Sequence, residues 1–119
     1  ATDFGDRTVN GNSLAGFSST TRGVFAGGTT GSRINTIDYV TIASTGNATD
    51  FGDLTQVQAD CAGLSNSTRG ITAGGASSGL TNVISYVTIA STGNATDFGD
   101  LSTNMSGAGA VSTAHGGLS

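Results

Sequence analysis

Carboxylates recur in this sequence in one arrangement, Asp-Phe-Gly-Asp, at Asp3 and Asp6, Asp50 and Asp53, and Asp97 and Asp100. Hard oxygen donors of this kind, with Asn47 or Asn94 close by and a glycine to bend the chain, are the raw material of a calcium site. Residues three apart on a strand, however, point to opposite faces unless Gly5, Gly52 or Gly99 introduces a bulge. The Asp-x-Asp-x-Asp-Gly order of a calcium loop is also missing. The carboxylates are therefore expected to cap turns or to pair with Arg22 or Arg69 while the phenylalanines pack between layers, and no metal is expected.

The other reactive types are few. The pairs Gly27-Gly28 and Gly74-Gly75 are followed by no lysine and begin no helix, so they suit a turn better than a phosphate cradle. His115 is the only histidine and replaces a threonine of the repeat described below; Ser112 and Asp100 share its sequence but define no triad without geometry. Cys61 stands where related stretches carry Leu14 and Ala108, which fits a small buried apolar residue. With no Glu, no Lys and one His, general acid–base chemistry has little to draw on. No enzyme activity and no cofactor are expected. Four Asn-x-Ser/Thr triplets occur, a chance outcome in so Thr- and Asn-rich a chain.

A net charge of −4 over 119 residues leaves no basic stripe to displace counterions, which argues against nucleic acid as partner. No apolar run approaches the roughly 20 residues of a membrane-spanning helix. Charged residues are only 10% of the chain, Leu is scarce and Gly, Ser, Thr and Asn dominate, a low-complexity composition that would suggest disorder. Regular return of Ile, Tyr, Val and Ile argues the opposite. Thr, Val, Ile and Gly favour strands and tight turns over helices.

What positions all these residues is a repeat. Residues 39–53, Tyr-Val-Thr-Ile-Ala-Ser-Thr-Gly-Asn-Ala-Thr-Asp-Phe-Gly-Asp, return letter for letter at 86–100, and residues 1–6 are the end of the same unit. The period is 47 residues without insertion, giving units 1–47, 48–94 and a partial 95–119 in one array. Beginning and ending inside a unit is the pattern of an excerpt from something longer. Each unit divides into four strands: A at 13–19 and 60–66, B at 24–28 and 70–75, C at 37–43 and 83–90, D at 1–8, 48–55 and 95–102, with a last A at 108–113. Residues 44–47 are expected to form a hairpin turn of the Gly-Asn kind. In strand C both faces are apolar, Ile37 and Tyr39 on one and Val40 and Ile42 on the other, so the sheet should be covered on both sides. In strand A the pairs Ala15-Gly16, Ala62-Gly63 and Gly109-Ala110 are small, as crowding between neighbouring sheets requires.

Four short antiparallel strands, a sheet covered on both faces and one crowded strand describe an all-β, β-propeller-type blade, with A innermost and D outermost. The double glycine after strand B (Gly27, Gly28; Gly74, Gly75), the Tyr of strand C (Tyr39, Tyr86) and the aromatic of strand D (Phe51, Phe98) make the unit resemble kelch-type repeats. Its wording is similar to kelch-like repeats of marine, cyanophage-type bacteriophage virion-associated proteins. It departs from kelch in having Phe where Trp is usual, and His115-Gly116 replace the Thr-Arg of the other units. A β-trefoil is the alternative fold, but it needs three complete units. Two and a half units do not close a propeller of about four to eight blades, and each uncovered Val, Ile, Leu or Phe forfeits roughly 1.5–3 kcal/mol. The chain is expected to oligomerise, aggregate or need neighbouring repeats, and a longer array is favoured over a closed dimer unless strands exchange.

The resemblance implies a non-enzymatic structural or interaction module in a tail, fibre or capsid surface, located in the virion or outside the cell, with assembly in the host cytoplasm. Partners would be other repeats or copies of the chain, virion proteins or host-surface glycans. A carbohydrate-binding propeller is the alternative, and a hydrolase would require an acid pair or triad. Comparing the units locates the variable surface. The A–B turns keep Thr-Arg-Gly (21–23, 68–70) and the C–D turns keep Ser-Thr-Gly-Asn, whereas the D–A connections (7–12 against 54–59) and B–C loops (29–34 against 76–81) differ. In an up-and-down sheet these two sit at one end. Asn10, Asn12, Arg33, Gln56 and Gln58 are the candidate polar contacts there.

Overall fold

The computed structural model describes residues 1–111; the expected roles of His115 and Ser112, and the end of the last A strand, lie outside them. The fold is all-β. Eight strands form two four-stranded antiparallel sheets, each in the sequential order of a meander. The first contains β1 (Ala15–Ser18), β2 (Arg22–Ala26), β3 (Thr36–Thr41) and β4 (Thr49–Asp53). The second contains β5 (Ala62–Ser65), β6 (Arg69–Ala73), β7 (Val83–Thr88) and β8 (Thr96–Asp100). Strands A to D of the two units are thus present with shorter ends. Residues 1–8, expected as a D strand, form no strand, since residues 4–6 bond the 46–48 connection instead, and 108–111, expected to begin a last A strand, form none either.

The register explains the glycine of the acidic motif. Ile37 pairs with Gly52 and Asp38 with Asp50, so Phe51 is bulged out of the ladder; Ile84 with Gly99 and Ser85 with Asp97 repeat the pattern around Phe98. The bulge aims Phe51 edge-on at Tyr39, with ring centroids 5.8 Å apart, and Phe98 at Tyr86 at 5.9 Å. Residues 44–47 form no two-residue hairpin. Gly46, Asn47 and Ala48 run alongside residues 4–6 and bond to them, which holds the connection open.

The sheets pack face to face, and each buries a different side of the same sequence. The first contributes Val24, Ala26, Ile37 and Phe51, joined by Leu54; the second contributes Val87 and Ile89 from the opposite side of its third strand. The A strands crowd as their small residues require: a methyl on Gly63 would lie 2.7 Å from the Gly16 carbonyl oxygen. The Ser65 hydroxyl closes that inner edge by donating to the Ser18 carbonyl at 2.7 Å. Between the edges, the Phe17 ring lies directly over Gly70.

That last contact sets up an internal comparison. Gly70 and Gly23 hold the same place in the two units. A methyl on Gly70 would come within 2.0–2.7 Å of Phe17 ring atoms, but on Gly23 it would meet only Val40 Cγ2, at 3.4 Å. Gly70→Ala is expected to cost about 1–3 kcal/mol in urea denaturation by forcing Phe17 out of its seat. Gly23→Ala should stay within about 0.5 kcal/mol of wild type. Equal losses at both sites would contradict the packing.

Candidate functional site

The D–A connections and B–C loops gather at one end of the two sheets. Asn12 and Thr29 exchange backbone hydrogen bonds at 3.1 and 2.9 Å, and Ala59 and Ala76 do the same one unit later. Gly27 and Gly28 turn the chain there with positive φ of 66° and 110°. Their amides donate to the carbonyls of Thr36 and Gln58, so neither is free to receive a phosphate. Successive connections are also tied to one another: the Asp60 amide donates to Ser13 and the Gly107 amide to Asp60. These three equivalent residues share a left-handed backbone, with φ of 58°, 55° and 66°.

An open groove of about 570 Å³ lies between the loops, walled by Thr29, Arg33, Val57, Asp60, Ser77 and Ser78. Arg33 is exposed and donates through Nη1 to the Ser77 carbonyl at 2.5 Å, bridging the two B–C loops. The exposed Asp60 carboxylate stands on the same wall, so the groove carries one charge of each sign. Among the described residues no aromatic side chain lines it. Of the candidate contacts, Arg33 lines the groove, while Asn10 and Asn12 are exposed on the D–A connection before β1. Gln56 is half-buried and donates to the Thr81 hydroxyl at 3.0 Å. Gln58 is fully buried, with its amide donating to the Gly74 carbonyl, so it ties the first sheet to the second and is not accessible to a partner. Asp60 joins Arg33 on the groove wall; it falls at the start of the expected A strand, and its exposure had no signal in the sequence.

At the opposite end Arg22 and Arg69 form no ion pairs among the described residues. Arg22 stacks on Tyr39, 4.4 Å from the ring centroid, and Arg69 on Tyr86 at 4.7 Å. Arg22 also donates to the Ile89 carbonyl of the second sheet at 2.8 Å. Tyr39 and Tyr86 are therefore held between an arginine and a phenylalanine. The acidic motif has structural work too: Asp3 and Asp97 each accept the amide two residues on, from Gly5 and Gly99 at 3.3 Å. No cluster of three or more metal-ligating side chains occurs among the described residues. Burial pushes the Cys61 thiol up to about 11, leaving it protonated and a poor nucleophile at neutral pH.

The salt bridge the sequence did not suggest is Arg7–Asp38, at 2.7 Å, with Asp38 fully buried. Thr8 adds its amide and hydroxyl to the same carboxylate, and Arg7 lies over the Phe25 ring. One unit later, Leu54, Ser85 and Thr72 take the places of Arg7, Asp38 and Phe25, and Thr72 and Ser85 share a buried hydroxyl hydrogen bond at 3.0 Å. Charge appears in both partners or in neither, a covariation that comparing the units position by position reveals. Compared with known protein families and with curated proteins, the chain has no match.

Arg7→Ala strands a buried carboxylate and is expected to cost about 3 kcal/mol. Replacing Arg7, Phe25 and Asp38 together by Leu, Thr and Ser, the residues of the second unit, should recover most of that loss in dilute solution. A triple variant no more stable than Arg7→Ala would show that the two sets are not interchangeable.

Proposed function

We propose that the chain is a non-enzymatic structural and interaction module made of kelch-like, propeller-type blades, completed by further blades beyond these two. Its place is in a virion-associated protein, in the virion or extracellular, and its recognition surface is the end that carries the D–A and B–C connections. The observation that carries this reading is the difference between the units. The C–D connections are identical and the A–B turns keep Thr-Arg-Gly, differing only at Ser19/Asn66 and Thr20/Ser67, whereas the B–C loops differ at every position and the D–A connections at all but one. The groove between Arg33 and Asp60 opens at that end, and loops free of packing duties are where a rigid scaffold carries its binding residues. Virion association rests on the wording of the repeat.

The carbohydrate-binding alternative needs aromatic platforms, and those available in strand C, Tyr39 and Tyr86, are occupied by Arg22 and Arg69 on one side. The non-enzymatic reading draws on the protonated Cys61 and on a groove whose charged walls offer no nucleophile paired with a base.

The test exchanges residues 29–34 for the sequence of 76–81 in the full chain. Binding to purified phage particles should change, with the melting temperature moving by no more than about 3 °C. Unchanged binding after the swap, together with loss in a folded Arg22→Ala/Arg69→Ala variant, would move the recognition surface to the other end. On a glycan array the wild-type chain should retain no sugar class. Competable binding to one class that the swap removes would favour the carbohydrate reading.

A further inference from the structure

Three of the four arginines are committed to the fold: Arg7 to Asp38, Arg22 to Tyr39 and Arg69 to Tyr86. Arg33 is the exception. Among the described residues its one partner is the Ser77 carbonyl, which takes a single Nη1 hydrogen and anchors an otherwise exposed guanidinium. Of the eight aspartates, Asp38 is buried and six belong to the Asp-Phe-Gly-Asp repeats, which leaves Asp60. Its exposed carboxylate has no ion pair among the described residues.

These two charges share the 570 Å³ groove, which lies inside the array between the B–C loops of successive units. They do not pair with each other, so their charged atoms stand farther apart than the roughly 4 Å of an ion pair. One unit later the equivalent positions hold Leu80 and Gly107, so both charges are present together here and both are missing there. A solvated surface charge needs no partner, and that accounts for either residue alone. Opposite charges in one groove, unpaired and lost together, call for something between them.

We propose that the groove holds a peptide segment of a protein partner that presents one acidic and one basic side chain, the acid to Arg33 and the base to Asp60. This assignment rests on the loop end being the recognition surface and adds the chemistry of what is recognised. Arg33 keeps free N–H donors in the fork geometry that suits a carboxylate. Asp60 accepts from an ammonium or a guanidinium. A polyanion is repelled by Asp60 as it is drawn to Arg33, and a quaternary ammonium would want the aromatic faces that this lining lacks. The hydroxyls of Thr29, Ser32, Ser77 and Ser78 can donate to or accept from a main chain of any sequence. Val57, 43% exposed, adds an aliphatic contact. An open groove of this size accommodates an extended chain, whereas a small ligand is usually enclosed.

The probes are blocked peptides with one glutamate and one lysine separated by none to three glycines, titrated into the full chain and followed by amide chemical shifts. At least one should shift Arg33, Val57 and Asp60 saturably, with a Kd in the millimolar range or tighter. Analogues with Gln for Glu, or norleucine for Lys, should bind about three- to fivefold more weakly. Arg33→Gln should erase the preference for Glu over Gln and keep that for Lys over norleucine, and Asp60→Asn should do the reverse. Asn tolerates the left-handed backbone of Asp60, and the dispersion of the amide spectrum reports folding for both variants. The assignment is overturned if no peptide of the series binds, if single-charge analogues bind as well, or if each variant loses both preferences equally. Loss of binding to phage particles on exchange of the 29–34 loop, with no peptide bound, would keep the loop end as the recognition surface and overturn this ligand alone.

Discussion

Everything in this chain depends on how closely the outer strand of one sheet approaches the C–D connection of the next. Three hydrogen bonds join Phe51 and Asp53 to Gly93, Asn94 and Ala95, and the approach is so close that no side chain fits on Gly52. The bulge sets the ring of Phe51 edge-on to Tyr39 as it sets Phe98 to Tyr86, but only at the docked edge is the phenylalanine buried, in one core with Ile37, Val87 and Ile89. The motif that looked most like chemistry, two carboxylates around Phe-Gly, is thus a docking edge. Its glycine is there for contact rather than for a cation.

The joint between the two sheets has three parts. Small residues close the inner edge at Gly16 and Gly63, an aromatic knob fills the middle at Phe17 over Gly70, and the asparagine connection closes the outer edge. Arg22 reinforces it by stacking on Tyr39 and reaching the Ile89 carbonyl across the joint. Arg69 repeats only the stacking. An arginine held flat on a ring keeps its charge while its donors reach a backbone acceptor, a combination that lysine provides poorly. With each contact made between neighbours, stability in such a chain is a sum over joints, and unjoined faces stay apolar and exposed.

Much of this was legible in the sequence. The exact repeat of residues 39–53 at 86–100 placed all eight strands within a few residues, because strand C returns Tyr-Val-Thr-Ile in phase with glycine-marked turns. The small Ala-Gly pairs announced the crowded A strands. Three features were hidden for physical reasons. The 44–47 stretch reads as a tight hairpin because its true partner lies 41 residues away, beyond any local pattern. Arg22 and Arg69 looked like partners for carboxylates, since a sequence gives no sign that a ring lies closer than an acid. Gln58 looked like a surface contact because polar loop residues usually are, but here the amide crosses the joint. Asp38 escaped notice as one aspartate among many, and only its exchange for Ser85, in step with Arg7 for Leu54, marks it.

Amide hydrogen exchange compares the docked and undocked edges most directly. Asp53 and Asp100 occupy the same position of identical fifteen-residue stretches, and each is followed by leucine, so their intrinsic rates are closely matched. Asp53 donates to Asn94 Oδ1, whereas Asp100 has no side-chain acceptor among the described residues. In dilute solution the Asp53 amide should exchange at least about tenfold more slowly than that of Asp100. Equal rates would mean that the connection does not hold the strand, and the account of how these sheets are joined would be wrong.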